Sequence, residues 1–437
     1  MQKATKDLVA FPNGGALTRR RLMQGLVAVL APAAVAGKAG AAAQVTEAAT
    51  YSPAVLPPGI RSRFVNNING LRMHVLEAGF EDKDRPGVLL LHGFPELAYS
   101  WRKVMRPIAA AGYHVIAPDA RGYGRTSGTD VRYDDDLAPF RSLNQVRDML
   151  GLVSAFGHRS VAAVIGHDQG SPLAGWCAVV RPDVFRSVVM MSAPFGGPPA
   201  LPFNTADAAP GSAANASADT IYDELAALSP PRKHYQRYYT TRDANENMWH
   251  ATQGIHAFLR AYYHMKSADW KQNKPAPLAA RTAREWAKLP RYYVMDLDKG
   301  MAETVAAEMP TAAEIAACKW LPDAELRVYS TEYGRTGFQG GLEGYRTGSS
   351  GRFTAEQQLF SSRTIDVPSM FIGGKSDWGV HQNPGALVRL EKTVCTRMLG
   401  KHLVDGAGHW VQQEQPEDVS KLLTQFLQHA TQRSTKP

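Results

Sequence analysis

Short apolar runs that alternate with helical stretches are the feature that most restricts how this chain can fold. Most of the runs hold five or six residues, are rich in Val, Ile and Leu, and are little interrupted by polar side chains. They lie at 87–92, 114–118, 161–166 and 187–192, and again at 368–373 and 396–404. Such runs are typical of strands buried on both faces of a parallel sheet, and the intervening helices imply a βαβ order. The sequence therefore predicts an α/β domain with a mostly parallel sheet flanked by helices.

A long interruption divides this domain. Residues 195–364 contain helical stretches with tryptophans and paired tyrosines, broken by proline and glycine, but no comparable series of strands. We expect one sheet domain formed by residues 62–194 and 365–437, with residues 195–364 as a mainly helical insertion after its sixth strand. Near its start, Asn69-Gly70 between two strand-like segments is typical of a type I′ hairpin turn.

Residues 1–43 have the parts of an export signal. Arginines at 19–21 precede an apolar run from Leu22 to Ala36, and Ala41–Ala43 offers a cleavage site before Gln44. The paired arginines ahead of Leu22 resemble the twin-arginine signal, so we expect an exported, periplasmic enzyme without a membrane span once the signal is removed. The run is about 12 to 15 residues, short of the roughly 20 that a spanning helix needs. A mitochondrial transit peptide and an uncleaved anchor are the alternatives, and 44–61 is expected to be a linker.

The expected export signal accounts for part of the net charge. The whole chain carries 49 basic and 40 acidic residues, a formal charge of +9 that would fit a nucleic-acid partner. Residues 1–43 hold six of the basic residues and one acidic residue, which leaves 43 against 39, or +4, on the other 394. No basic run occurs there, so nucleic-acid binding is not expected.

The pentapeptide Gly166-His167-Asp168-Gln169-Gly170 lies where an apolar run meets a helical stretch. Glycines two positions either side of Asp168 are what a sharp strand-to-helix turn requires, because its central residue is strained and larger neighbours would clash. Such a turn presents the central side chain at the helix N-terminus, where the dipole favours an anion. A carboxylate there can attack an sp³ carbon bearing a leaving group and form an ester on the enzyme. The alternative is that Asp168 only caps the helix.

Release of such an ester needs water, a base and a partner that orients the base. Asp377 and His409 each follow a strand-like segment later in the chain, and nucleophile, acid, histidine is the chain order of the α/β-hydrolase triad. Asp377 would hold the His409 tautomer while His409 deprotonates water. Asp405 is the alternative acid, but it lies only four residues before His409.

An oxyanion hole would serve this second step. In this architecture its donors are backbone N–H groups, one from the loop after the first parallel strand and one from the residue after the nucleophile. Phe94 and Gln169 occupy these positions, and His92 is expected to brace the loop. Neither a nucleotide-binding fingerprint nor metal-ligand spacing occurs in the sequence, and the three cysteines are too scattered for a zinc site, so no cofactor or metal is expected.

Together these motifs resemble the epoxide hydrolase branch of the α/β-hydrolase superfamily. The resemblance runs from about residue 60 to the end and implies a mainly helical cap after the sixth strand. Haloalkane dehalogenases share the aspartate nucleophile and much of the frame. The matching segments are His92–Glu96, Pro118–Gly124, Gly166–Gly170, Asp377 and Gly408–Trp410.

The family distinguishes epoxides from halides by its cap. Two cap tyrosines bind and protonate the epoxide oxygen, because an alkoxide is too basic to leave unaided. The resemblance places Tyr235, in His234–Tyr239, and Tyr345, in Gly337–Arg346, in these roles. Many haloalkane dehalogenases have tryptophan after the nucleophile, and fluoroacetate dehalogenases have arginine. Gln169 departs from both, and also from the tryptophan common in the best-known epoxide hydrolases.

The sequence thus predicts an exported, cofactor-independent epoxide hydrolase that acts on a small apolar epoxide with water. A haloalkane or haloacid dehalogenase on the same frame is the enzymatic alternative. An exported binding protein that has kept the fold without turnover is the alternative from another class. The substrate, the stereoselectivity and the oligomeric state are left open by the sequence.

Overall fold

A mostly parallel sheet of eight strands lies at the centre of the protein, whose computed structural model describes residues 48–129, 131–201 and 216–432. Its order is β1-β2-β4-β3-β5-β6-β9-β10; β2 is antiparallel to both neighbours and the other pairs are parallel. β7 and β8 form a separate antiparallel pair. The strands are β1 (Ile60–Ile68), β2 (Leu71–Ala78), β3 (Gly87–Leu91), β4 (His114–Pro118), β5 (Val161–His167), β6 (Val188–Met191), β7 (Arg232–His234), β8 (Val294–Asp296), β9 (Ser369–Gly374) and β10 (Met398–Val404).

Each apolar run predicted as a strand forms one, with ends within two residues of the prediction. β3, β4, β6 and β9 are buried along their whole length, as parallel strands with both faces covered should be. Asn69 and Gly70 both have positive φ, at 50° and 86°, so the turn between β1 and β2 has the left-handed backbone of a type I′ hairpin. The predicted fold class is confirmed.

The helices fall into two groups. Those from α4 to α13 lie between β6 and β9, and the others flank the sheet. The α-helices are α1 (Arg102–Ala110), α2 (Ser142–Ala155), α3 (Gly170–Val180), α4 (Ala216–Ala226), α5 (Tyr235–Tyr239), α6 (Asp243–Trp249), α7 (Ile255–Lys266), α8 (Ala283–Trp286), α9 (Met301–Ala306), α10 (Ala312–Ala317), α11 (Asp323–Thr336), α12 (Gln339–Ser349), α13 (Thr354–Gln358), α14 (Ala386–Arg389), α15 (Val411–Glu414) and α16 (Pro416–Gln432). A π-helical turn, Leu390–Val394, follows α14, and three short 3₁₀ turns occur at Ala98–Trp101, Ala138–Phe140 and Trp378–Val380.

The segment between β6 and β9, called the insertion below, is mainly helical but not wholly so. Its two strands, β7 and β8, pair over three residues each. Strands this short are below the four to eight residues over which alternation becomes readable, so the sequence pattern did not reveal them. They place His234 directly before α5 and so orient the tyrosine that follows.

Two apolar cores cover the two faces of the sheet. Successive residues of a strand point to opposite faces, so Leu90 joins one core and Leu89 the other. The Leu90 core continues without a break into the insertion, where it includes Tyr239 and Phe258. The insertion therefore packs on the sheet through a shared apolar core.

Only part of the N-terminal region lies within the described residues. The export signal, residues 1–43, lies outside the described residues. The expected linker, 44–61, is described from residue 48, and there Tyr51 and Leu56 bury their side chains in the core. This part packs on the domain instead of linking, because two large apolar side chains outweigh its proline and small residues. No helix in the described ranges is long and apolar enough to cross a membrane.

Candidate active site

Asp168 occupies the sharp turn between β5 and α3 in a strained backbone conformation. Its φ is 52°, in the left-handed region that few residues other than glycine adopt. The flanking glycines permit the turn, since a Cβ on Gly166 would lie 1.9 Å from the carbonyl oxygen of Gly170, and one on Gly170 would lie 2.2 Å from that of Leu91. The next hydroxyl, Ser171 Oγ, points away and donates to the carbonyl of Ala193.

The Asp168 carboxylate is held by two donors of different kinds. Its Oδ1 accepts a hydrogen bond from the backbone N–H of Phe94 at 2.8 Å, and its Oδ2 lies 3.3 Å from Nε2 of His409. Burial would raise the pKa of Asp168, but His409 and then Lys266 lower it well below its ordinary range. Asp168 is therefore an ionised carboxylate at neutral pH, as a nucleophile must be.

Asp377 and His409 complete a chain of contacts that begins at Asp168. His409 Nδ1 lies 3.2 and 3.3 Å from the two carboxylate oxygens of Asp377. Asp377 Oδ1 also accepts the N–H of Gly379 at 2.7 Å. Burial raises the pKa of Asp377, but the imidazole and this N–H lower it below its usual value. With Nδ1 facing Asp377, Nε2 of His409 faces Asp168. The alternative acid, Asp405, is exposed and paired with Lys375 at 2.6 Å.

Backbone contacts fix the loop that carries His409. The buried Glu414 carboxylate accepts N–H bonds from Gly408, Trp410 and Ala268, at 2.8 to 2.9 Å. Burial raises the pKa of Glu414 to about 8 although these bonds oppose the shift. The His409 N–H itself donates to the carbonyl of Lys266 at 2.8 Å. Sequence reasoning missed Glu414, because nothing in its spacing indicates that it bonds both neighbours of His409.

A second polar chain lies behind the nucleophile and was also missed. His167 Nδ1 contacts Glu96 Oε2 at 2.6 Å, and the side-chain amides of Gln412 and Gln413 both donate to Glu96 Oε1 at 2.9 Å. Burial alone would lower the pKa of His167, but Glu96 raises it, so the two form a buried ion pair. Both residues stand next to predicted ones, and that adjacency was the available signal.

His92 braces the loop after β3 through both of its ring nitrogens. His92 accepts the N–H of Ala120 at Nε2, 3.0 Å, and donates from Nδ1 to the carbonyl of Gly93. A Cβ on Gly93 would lie 2.3 Å from that of Asp168, so only glycine allows the loop to approach this closely. Phe94 thus brings its N–H to the carboxylate. Gln169, the other predicted donor, follows Asp168 directly, and its side chain accepts a hydrogen bond from Tyr123 OH at 2.9 Å.

Tyr235 and Tyr345 come together from two helices of the insertion. Their ring centroids are 6.0 Å apart, and the ring of Tyr239 lies 5.4 and 5.0 Å from them. Burial raises the pKa of both well above 10, and the charge of Asp168 raises it further, so both hydroxyls are protonated at neutral pH and near that carboxylate.

Three other tyrosines of the insertion donate their hydroxyl protons to protein acceptors. Tyr238 donates to Asn247, Tyr239 to Tyr262, and Tyr263 to the carbonyl of Pro95. Tyr235 OH accepts a bond from Gln236 at 3.1 Å and donates a long one, at 3.5 Å, to Gln382 Oε1. Among the described residues none forms a hydrogen bond with the Tyr345 hydroxyl. The Tyr345 hydroxyl is thus free to donate to a bound molecule, and the Tyr235 hydroxyl is held only by a long bond.

A cleft of about 410 Å³ lies beside these groups, with Gln169, Gln236 and Tyr345 in its lining. Its described lining residues are uncharged and mix aromatic with amide and hydroxyl side chains. Within the described ranges, no cluster of His, Cys, Asp and Glu could hold a metal ion.

Comparison with known proteins identifies the family to which the chain belongs. A family described as "alpha/beta hydrolase fold" matches residues 86–416. Epoxide hydrolase B of Mycobacterium tuberculosis is 31% identical over 368 residues, which cover 83% of this chain and 96% of that protein. An epoxide hydrolase of Caballeronia sordidicola is 30% identical over 82% of this chain and 91% of its own. The solved epoxide hydrolase of an endophytic Streptomyces has a TM-score of 0.65 and 30% identity, over 85% of this chain and 96% of its own.

Proposed function

The chain belongs to the epoxide hydrolases of the α/β-hydrolase family, and we propose that it opens its epoxide through a covalent ester on Asp168. One arrangement carries the proposal: the strained, ionised Asp168 lies near two protonated tyrosine hydroxyls and 3.3 Å from Nε2 of His409. This set supplies a nucleophile, two hydroxyl acids for the epoxide oxygen, and a base.

In the first step, an oxygen of Asp168 attacks an epoxide carbon and the carbon–oxygen bond of the ring breaks. Its electron pair goes to the ring oxygen, which takes a proton from Tyr235 or Tyr345. The raised pKa of both tyrosines keeps that proton in place until the alkoxide, a stronger base, develops beside them.

In the second step, His409 takes a proton from water and the hydroxide adds to the ester carbonyl. The oxyanion that forms lies where the N–H groups of Phe94 and Gln169 can stabilise it, and Asp377 stabilises the imidazolium. Collapse breaks the ester bond, and the departing oxygen takes the proton from His409. The remaining proton of the water, left on Asp168, returns to the tyrosinate, so a vicinal diol is released and the enzyme is restored.

Trapping the ester tests this proposal. His409→Gln should leave the first step intact and stop the second, so incubation with a panel of small epoxides should add the mass of a whole epoxide to the chain. Peptide mapping should place the adduct on Asp168. Asp168→Asn is the matched control and should gain no mass.

The remaining outcomes decide against the proposal. An adduct formed from haloalkanes with loss of halide, and none from epoxides, would identify a dehalogenase. No adduct with either panel, together with an inactive wild type, would indicate a binding protein that has kept the fold.

A further inference from the structure

Lys266 is a buried cation that the proposed mechanism does not use. It is the last residue of α7, and only 3% of its surface is exposed. Its Nζ lies 5.1 to 6.0 Å from the centroids of four aromatic rings: Tyr262, Tyr292, Tyr293 and Trp410. A cation removed from water is costly unless it is compensated, and ring faces compensate only part of that cost.

The buried arginines are held differently. Each forms an ion pair with one carboxylate, as the pairs Arg102–Glu325, Arg121–Asp148, Arg232–Asp296 and Arg260–Asp323 illustrate. No carboxylate in the described part of the chain forms such a pair with Lys266. Its charge therefore acts at longer range, on groups that do not contact it directly.

The charge of Lys266 acts on Asp168 and Asp377, the two carboxylates that flank His409. Burial raises their pKa values, His409 lowers them, and Lys266 lowers them further. The backbones of Lys266 and His409 are joined directly, since the His409 N–H donates to the Lys266 carbonyl at 2.8 Å. A Cβ on Gly408 would lie 2.5 Å from that oxygen, so the loop and the end of α7 meet at backbone distance.

We propose that Lys266 is a positioning residue for the second step: its charge keeps His409 unprotonated in the ester state. This rests on the ester mechanism proposed above. When Asp168 becomes an ester it loses its charge, which leaves Asp377 as the negative partner and Lys266 as the positive one. A nearby cation disfavours the imidazolium before water is activated, and it stabilises the oxyanion once that forms.

Several other titratable groups lie near this pair, among them His381, which faces Asp377 and whose pKa is lowered by burial. Glu96 and His167 form an ion pair with each other, and burial raises the pKa values of Tyr292 and Tyr293, which keeps them neutral. Tyr262 stacks against Lys266 from the same helix. Glu414, whose pKa is raised to about 8, would affect the alkaline side of the pH profile of ester hydrolysis.

The pH dependence of ester hydrolysis tests the proposal. The ester is formed with excess enzyme in a single turnover, and its decay is followed from pH 5 to pH 9. Lys266→Met removes the charge and keeps a side chain that packs on rings, so the imidazolium forms more readily. The acidic limb should move to higher pH by about one unit, the effect of a unit charge several ångströms away at an effective dielectric near 20.

Two matched variants separate charge from packing. Lys266→Arg keeps the charge and should retain the wild-type limb. Lys233→Met removes a lysine that lies 5.0 Å from the Tyr238 ring, outside the groups that face His409, and should also leave the limb in place. A folded, active Lys266→Met enzyme with the wild-type limb would overturn the proposal.

A measurement on the wild type covers the case in which Lys266→Met does not fold. The ¹⁵N resonance of the Lys266 amine, assigned by its loss in Lys266→Arg, reports its charge. A protonated amine throughout the active pH range supports the proposal, and a neutral one overturns it. If the wild type forms no ester from any epoxide, the proposed function fails and this inference fails with it. If the ester forms and its decay in Lys266→Met keeps the wild-type acidic limb, only the role of Lys266 is overturned.

Discussion

At the scale of single residues, the site depends on one strained backbone position. The left-handed conformation of Asp168 costs roughly 1–3 kcal/mol and persists only because its surroundings fix it. It aims one carboxylate oxygen at the Phe94 N–H and the other at His409. The glycine spacing that permits this turn is local in sequence, so Asp168 could be predicted. Glu414 and Lys266 could not, because they reach His409 through backbone groups and leave no spacing pattern.

The two insertion tyrosines give a prediction at this scale. Tyr235→Phe combined with Tyr345→Phe should slow ester formation by at least the 10²–10⁴-fold typical of a lost general acid, because the alkoxide has no proton donor left. Quenched-flow measurement of ester formation checks this. Tyr238→Phe is the control, since that hydroxyl donates to Asn247 and should matter little for the rate. Wild-type rates in the double variant would remove both tyrosines from the mechanism.

At the scale of elements, the strand-to-helix junction is held by close backbone packing. A Cβ on Gly166 would lie 1.9 Å from the Gly170 carbonyl oxygen, so Gly166→Ala should destabilise the fold by more than about 3 kcal/mol or prevent folding. Gly151→Ala is the matched control. It lies inside α2, where the added methyl group would be 3.5 Å from the nearest atom, and it should be neutral or stabilising by up to about 1 kcal/mol. Urea unfolding measures both, and equal stabilities would contradict the packing argument.

The end of β4 provides a pH-dependent prediction. Asp119 is fully buried, and it accepts bonds from His74 and from the N–H groups of Ala98 and Arg125. Burial alone would raise its pKa, but His74 and these bonds lower it to about 2. A depressed pKa gives stability that is present above the unfolded value near 4 and is lost as the pH falls towards 2, about 2.5 kcal/mol in all.

Asp119→Asn should remove that dependence. The free energy of unfolding of the variant, followed by urea titration, should be lower at pH 7 and should change less than that of the wild type between pH 4.5 and pH 2.5. A wild-type slope in the variant would assign the acid sensitivity to another carboxylate. Asp366→Asn is a control on an exposed carboxylate and should keep the wild-type slope.

The length and burial of each strand decided whether the sequence could predict it. Strands β3 to β6 could be predicted because each is a run of apolar residues buried on both faces of the sheet. β7 and β8 did not, since three residues carry no periodicity. Tyr235 and Tyr345 lie on separate helices, 110 positions apart, so only the resemblance to a family, and not spacing, could pair them before the rings were seen 6.0 Å apart.

At the scale of the whole molecule, more than half of the formal net charge lies in residues 1–43, before the first described residue. The +9 of the full sequence falls to +4 without residues 1–43, and no described residue lies in that segment. The first buried anchor is Tyr51, whose ring contacts those of His74 and Tyr99. Cleavage before Gln44 would therefore leave every described contact in place.

Removal of the proposed signal gives the last prediction. A chain of residues 44–437 should have the epoxide hydrolase activity and the Tm of the full-length chain within about 2 °C, because no buried side chain of the described unit is lost. In a bacterium with a twin-arginine pathway, the exported protein should have the intact mass of a chain that begins at Gln44. Replacing Arg19, Arg20 and Arg21 by lysine keeps the charge and removes the arginine pair that the pathway reads. That variant should stay in the cytoplasm at full length and remain active, whereas its unchanged export would assign the segment to the general secretory route.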